Sequence, residues 1–242
     1  MAAIPLTQGG PPNAEDYEYQ WSGDYVRANF VSNVGKKRVH NEDSCIICAP
    51  EDRAYSEERG MLFAVADGMG GASAGEFASR QALALLVEEY YSGDPKMHVL
   101  SIPQQLQKAL QAANRRLYQE AQNEPAYKGM GTTVSVVVVH GDCAYIAQVG
   151  DSRVYMARHH KRLFQITDDH SLVAEQVRNG YMSEEEARTH SLKNLITRAV
   201  GVKEKVKIDL FAIRMKQGDT LMICSDGLSN MVEDADIEKV VE

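Results

Sequence analysis

Val134-Ser135-Val136-Val137-Val138-Val139-His140-Gly141-Asp142-Cys143-Ala144-Tyr145-Ile146-Ala147-Gln148-Val149 is the stretch that decides the fold class. Two runs rich in valine, alanine and isoleucine flank a Gly-Asp turn, which is the pattern of a β-hairpin. Val154 to Ala157 and Leu163 to Ile166 extend it into an antiparallel meander. Tyr25 to Val31, Ser44 to Ala49 and Met61 to Ala66 read as strands upstream, and Lys207 to Ile213 and Thr220 to Cys224 downstream. Between these blocks, Ala74 to Tyr91 is rich in alanine, leucine and glutamate and reads as a helix. A second helix opens at Ser101-Ile102-Pro103-Gln104, with a capping serine, a proline inside the first turn and a capping-box glutamine. Leu106, Leu110, Ala113 and Leu117 then mark its buried stripe. Strands clustered between helical blocks predict an α+β fold and not a parallel, doubly wound sheet.

At 242 residues with 44% apolar content, the chain is read as one large domain with a substantial core. Residues 1–20, with Gly9-Gly10-Pro11-Pro12-Asn13, are expected to form a flexible tail or a loosely docked arm, leaving 21–242 as the domain. Acidic residues outnumber basic ones by 34 to 26 and the basic ones are scattered, which argues against nucleic acid as a partner. No apolar run reaches the length of a membrane span and the start has no signal-peptide pattern, so the reading is cytoplasmic, with no membrane in this sequence. No repeat or heptad calls for an oligomer, and a monomer is expected. Cys45 and Cys48 lie on one strand at positions that face opposite ways, and no second pair completes a zinc site. Reduced, mostly buried thiols are the expectation.

Three short runs each carry an aspartate beside glycine or serine at the end of an apolar stretch: Val65-Ala66-Asp67-Gly68-Met69-Gly70-Gly71, Val149-Gly150-Asp151-Ser152-Arg153 and Cys224-Ser225-Asp226-Gly227. A strand end holds an aspartate rigidly, and glycine lets backbone or ligand come close. Arg38-Val39-His40-Asn41-Glu42-Asp43 adds two carboxylates and a guanidinium. Carboxylates without a matching set of histidines and cysteines point to hard divalent ions such as magnesium or manganese. An arginine among them suggests a phosphate, which its planar fork grips in two parallel hydrogen bonds. No Cys-x5-Arg loop is present, and no serine elbow of the Gly-x-Ser-x-Gly kind is expected. Residues 171–200 read as two short helices around Asn179-Gly180, the second capped by Ser183, in a polar insertion suited to a functional flap.

Taken in order, Arg38-x-x-Asn41-Glu42-Asp43, Asp67-Gly68-Met69-Gly70-Gly71, Gly131-Thr132-Thr133, Val149 to Arg153 and Ser225-Asp226-Gly227 resemble the metal-dependent type 2C serine/threonine protein phosphatases. The likeness covers roughly residues 25 to 242, and Met69, where many eukaryotic members carry histidine, resembles the bacterial branch. The resemblance implies a four-layer α-β-β-α sandwich, two stacked antiparallel sheets flanked by helices. It implies two manganese or magnesium ions, with Asp67 bridging them, Asp226 on the first, and the Gly68 carbonyl with Glu42 or Asp43 on the second. Asp151 would serve a third, weaker ion near the flap. Arg38 would clamp the phosphate, and Thr132 and Thr133 would support the site from below. Met69 has no proton to give a leaving group, which must then take one from metal-bound water or another group, His40 being one candidate.

The implied activity is hydrolysis of phosphoserine and phosphothreonine in proteins by a metal-activated water, opposing a serine/threonine kinase. The alternatives are a phosphoprotein-binding module without catalysis on the same fold, and a phosphatase for small metabolites, which would need a closed, narrow pocket. The family pattern continues past Ser-Asp-Gly to a strand with an Asp-Asn pair, and no such pair occurs up to Glu242. The expectation is therefore a first-metal site one carboxylate short and an apolar sheet edge left open. Asp234 and Asp236 are read as helix-capping residues.

Overall fold

β-Branched residues favour a pleated, half-buried surface, and the strands follow the valine- and isoleucine-rich runs. The computed structural model describes residues 6–12, 15–97, 100–158 and 162–241. In chain order the elements are β1 (Leu6–Gly10), β2 (Tyr17–Ser22), β3 (Arg27–Ser32), β4 (Asp43–Ala49), α1 (Arg53–Arg59), β5 (Met61–Met69), α2 (Ala72–Tyr90), α3 (Ile102–Asn123), β6 (Gly131–Thr132), β7 (Val134–His140), β8 (Cys143–Val149), β9 (Arg153–Ala157) and β10 (Phe164–Gln165). There follow α4 (Leu172–Arg178), α5 (Glu184–Thr189), β11 (Asp209–Arg214), β12 (Thr220–Cys224), α6 (Asp226–Ser229) and α7 (Asp234–Val241).

The main sheet runs β1-β4-β5-β7-β8-β11, antiparallel throughout, with β6 added to the end of β5. Alternation along each strand divides the residues between its two faces. Leu62, Ala64 and Ala66 of β5 and Val134, Val136 and Val138 of β7 face α2 and α3, where Leu86, Leu110 and Leu117 complete a core closed to solvent. Removing such a leucine from water is worth about 1.5–3 kcal/mol. The capping box at Ser101 is formed, with its N–H donating to Gln104 Oε1 at 2.9 Å. No disulfide joins the cysteines among the described residues; Cys48 joins the helix-side core and Cys45 faces the other way.

On the opposite face, Val137, Ala144 and Ile146 pack against Val154, Leu221 and Ile223 of a three-stranded sheet ordered β10-β9-β12. The β2–β3 hairpin covers another part of the same face, its Trp21 ring 6.4 Å from that of Phe63. Outside the three-stranded sheet, α7 is held by Tyr155, whose hydroxyl donates to Asp234 Oδ1 at 3.2 Å. Helices, large sheet, second strand layer and helix thus stack in the expected order. The second layer is split. Between the unpaired sides of β3 and β12 lies a groove of about 900 Å³ floored by Cys45, Ile47, Phe63 and Val137.

Two expectations need correction. The 1–20 tail does not describe residues 6–10 and 17–20, because β1 pairs along β4 and β2 along β3, so the 20/21 boundary falls inside a strand. Backbone pairing to an existing edge needs no side-chain pattern, so glycines 9 and 10 can join a strand that periodicity does not reveal. Residues 1–5, 13 and 14 lie outside the described residues. The meander also ends at Val149: β8 pairs with β7 and β11, and the chain crosses at Gly150–Ser152 to place β9 in the other sheet.

Candidate active site

The end of β5 is built from backbone upward. Thr132 and Thr133 bracket Asp67: the Asp67 N–H donates to Thr133 Oγ1 at 2.9 Å, and its carbonyl accepts from the Thr133 N–H at 2.9 Å and the Thr132 hydroxyl at 2.8 Å. These are the supporting contacts expected of the two threonines. Asp43 is the cross-strand partner of Asp67. Gly68 donates its N–H to the Glu42 carbonyl at 3.1 Å, and a Cβ there would strike the Gly75 and Glu42 carbonyl oxygens. Only glycine lets α2 start against the strand end.

Other elements deliver the remaining groups. Ser225 follows the end of β12 and its hydroxyl donates to Asp43 Oδ2 at 2.6 Å, and Asp226 opens α6 beside it. Asn230 Nδ2 donates to Asp226 Oδ2 at 3.0 Å. Asp151 projects from the turn where the chain changes sheets, and its neighbour Ser152 bonds the Thr133 hydroxyl at 2.6 Å. Arg38, Glu42, Asp67, Asp151, Asn194 and Asp226 line one cleft of about 490 Å³, together with Gly68, Met69 and His40. Asp43 lies beneath it, against Asp67 and Ser225. Because Glu42 precedes β4, strand alternation does not separate it from Asp43, and both reach the site.

The charges are crowded. Burial, then the Asp43 and Asp226 carboxylates, push the Asp67 pKa up to about 9. Burial, with Asp226 and Asp169 nearby, raises Asp151 to about 7. Asp43 is also raised, by burial first and by Asp226, against the lowering hydrogen bond from Ser225. Glu42 Oε2 accepts from Arg38 Nη1 at 2.9 Å, while Oε1 is buried without a partner. Among the described residues no three acidic, histidine or cysteine side chains form a ready-made ion cage, although Asp226 stands near enough to raise the Asp67 pKa. The donor set still fits a hard cation: oxygen ligands only, carboxylates that need positive charge, and an orphaned buried oxygen on Glu42.

Residues 36–241 match the family described as protein phosphatase 2C. The chain belongs to this family. A serine/threonine phosphatase, stp, of Listeria monocytogenes is 37% identical over 217 residues, 90% of this chain and 83% of the relative. The crystal structure of serine/threonine phosphatase Stp1 from Staphylococcus aureus superposes with a TM-score of 0.71 at 32% identity, over 95% of this chain and 83% of that one. The catalytic domain of the serine threonine protein phosphatase PstP in complex with 2 manganese ions has a TM-score of 0.69 at 30% identity, over 96% and 83% of the two chains. The α+β sandwich and the bacterial-type resemblance are thereby established.

Reading the sequence left two features unassigned. Ser225 is inside a recognised motif, yet its bond to Asp43 spans 182 positions and has no local signature. Against the expectation that no serine-elbow spacing occurs, Gly71-Ala72-Ser73-Ala74-Gly75 has the Gly-x-Ser-x-Gly pattern. Ser73 lies exposed in the first turn of α2, and among the described residues no histidine is hydrogen-bonded to it, so it lacks the base a serine nucleophile needs. Asp234 and Asp236 sit in the first turn of α7, away from the cleft lining, in the capping region assigned to them.

Proposed function

We propose that this chain is a metal-dependent phosphatase of phosphoserine and phosphothreonine in proteins. The observation that carries the reading is Asp67, wedged between Asp43 and Asp226 beside the orphaned Glu42 Oε1, on the floor of a cleft with Arg38 at its mouth. In this reading Asp67 and Asp226 would hold a first ion, Asp67 with the Gly68 carbonyl and Glu42 or Asp43 would hold a second, and Asp151 would take a third. Magnesium or manganese, when bound, would supply an ionised water as nucleophile and neutralise the phosphoryl oxygens.

The protein's own groups bind and orient. Arg38 is 76% exposed and pairs with Glu42 through one nitrogen, leaving its remaining N–H groups for two phosphate oxygens. The Thr132 and Thr133 bonds hold the Asp67 backbone still. His40 lines the cleft and can hand a proton to the departing serine or threonine oxygen, which Met69 cannot do. A protein substrate is favoured over a small metabolite because the rim stands in solvent, Val39 being 86% exposed. Nothing in the site favours the non-catalytic binding module. Cysteines outside any disulfide suit a reducing cytoplasm, where this chain, as a monomer, would oppose a serine/threonine kinase in signalling.

The test is hydrolysis of a phosphothreonine peptide with manganese, with magnesium and with excess chelator. Turnover that requires either metal is expected. Equal turnover in chelator, or none in any condition, would overturn the reading.

A further inference from the structure

Asp151 sits on a turn, yet the chain on both sides of it is gripped by two consecutive residues. Asp169 binds Arg153 with both carboxylate oxygens, at 2.7–3.1 Å. His170 binds Gly150 twice: its backbone N–H donates to the Gly150 carbonyl at 3.0 Å, and its ring Nδ1 accepts from the Gly150 N–H at 3.1 Å. Gly150 has a φ of 105°, and a Cβ there would strike Thr133, so the turn has one conformation to hold.

The same histidine reaches the flap. With Nδ1 accepting, the ring proton is on Nε2, which donates to Asp209 Oδ2 at 3.0 Å. Arg198 Nη1 donates to the other oxygen of Asp209 at 2.9 Å. The His170 carbonyl accepts from the Thr197 N–H at 2.7 Å and from its hydroxyl at 3.1 Å. Thr197 and Arg198 directly follow Ile196, which lines the cleft with Asn194. His170 is fully buried between the two segments.

We propose that His170 is a positioning residue that fixes the Asp151 turn and couples it to the cleft-lining end of the flap. The inference rests on the phosphatase reading for its kinetic consequence, and on hydrogen bonding alone for its mechanical one. A residue that orients a metal-binding group from behind is commonly worth about 10–100-fold in activity or metal affinity.

The experiment is a double-mutant cycle in the full chain between His170→Leu and Asp151→Asn, read as kcat/KM on a phosphothreonine peptide. Amide hydrogen exchange of residues 149–153 and 194–198 is followed in parallel. His170→Leu should lower kcat/KM about tenfold, and by less than about twofold when Asp151→Asn is already present, as coupled sites do. Exchange should quicken in both segments. His170→Asn, whose side-chain oxygen replaces Nδ1 but cannot reach Asp209, should recover slow exchange at Gly150 while leaving the flap segment fast. It also serves if the leucine variant does not fold. Equal losses with and without Asp151, or exchange that quickens in neither segment, would overturn the proposal. If the wild-type chain hydrolyses nothing, the phosphatase reading fails, and the exchange result still decides whether His170 couples the segments.

Discussion

The two walls of the cleft are made in different ways. On one side Asp43 and Asp67 stand on neighbouring strands of the large sheet, with the backbone of Asp67 bonded to Thr132 and Thr133 and α2 starting hard against Gly68. On the other side Asp151 sits on a turn, and Asn194 and Ile196 belong to a flap of two short helices that leaves Tyr181 and Leu195 81% and 50% exposed. Ladder hydrogen bonds and a closed core fix the first wall; side-chain bonds to His170 and Asp169 fix the second. The lesson is that groups needing permanent placement are on the sheet, while those that meet substrate are on the segment with the least buried apolar area, where local opening costs least.

The largest effect should come from the strand wall. Asp67→Asn keeps the shape but removes the charge, and should cost on the order of 10²- to 10³-fold in turnover at saturating manganese; a peptide assay that finds less than tenfold would mean the wall is not the centre of the chemistry. Next is pH. Asp67 has a native pKa near 9 against an ordinary 3.8, so between those values the folded, metal-free protein holds a proton that the unfolded chain releases. Stability is then fully present below the lower value and is lost as pH rises through the upper one. Thermal melts in chelator should fall across that window, and manganese should flatten the slope. A melt in chelator that rises with pH over the same range would contradict the crowding.

Gly68→Ala tests how rigid the strand wall is. The added methyl has backbone on two sides, so a loss of about 1–3 kcal/mol is expected in denaturant titration, whereas an unchanged midpoint would show that α2 can yield. The smallest effect belongs to the flap. Arg188 pairs with Glu233 across to the α6–α7 connection with both side chains more than half exposed. Arg188→Ala should change stability by under about 1 kcal/mol while quickening hydrogen exchange in residues 171–195. A global loss of stability would erase the distinction between the walls.

Much of the strand wall is legible in the amino-acid sequence. An apolar run ending in Asp-Gly tells of a buried strand with a functional end, and the ordered motifs around Arg38, Asp67, Thr132, Asp151 and Asp226 point to the family. The second wall is only half legible. The flap helices follow from Ser183 and Asn179-Gly180, but the grip of Asp169 and His170 on the Asp151 turn does not, because Thr167-Asp168-Asp169-His170 reads as an ordinary polar loop.

Local pattern and chemistry, then, determined the longer helices, most strands, the acidic donors and the kind of ion they suit, since these depend on residue type and on periods of two or 3.6 residues. Tertiary structure alone decided which sheet each strand joins, that β1 and β2 are strands at all, and that Ser225 meets Asp43 while His170 meets Gly150 and Asp209. Alternation tells which side of a strand is buried but not what lies opposite, and contacts between distant positions are set by packing of the whole chain.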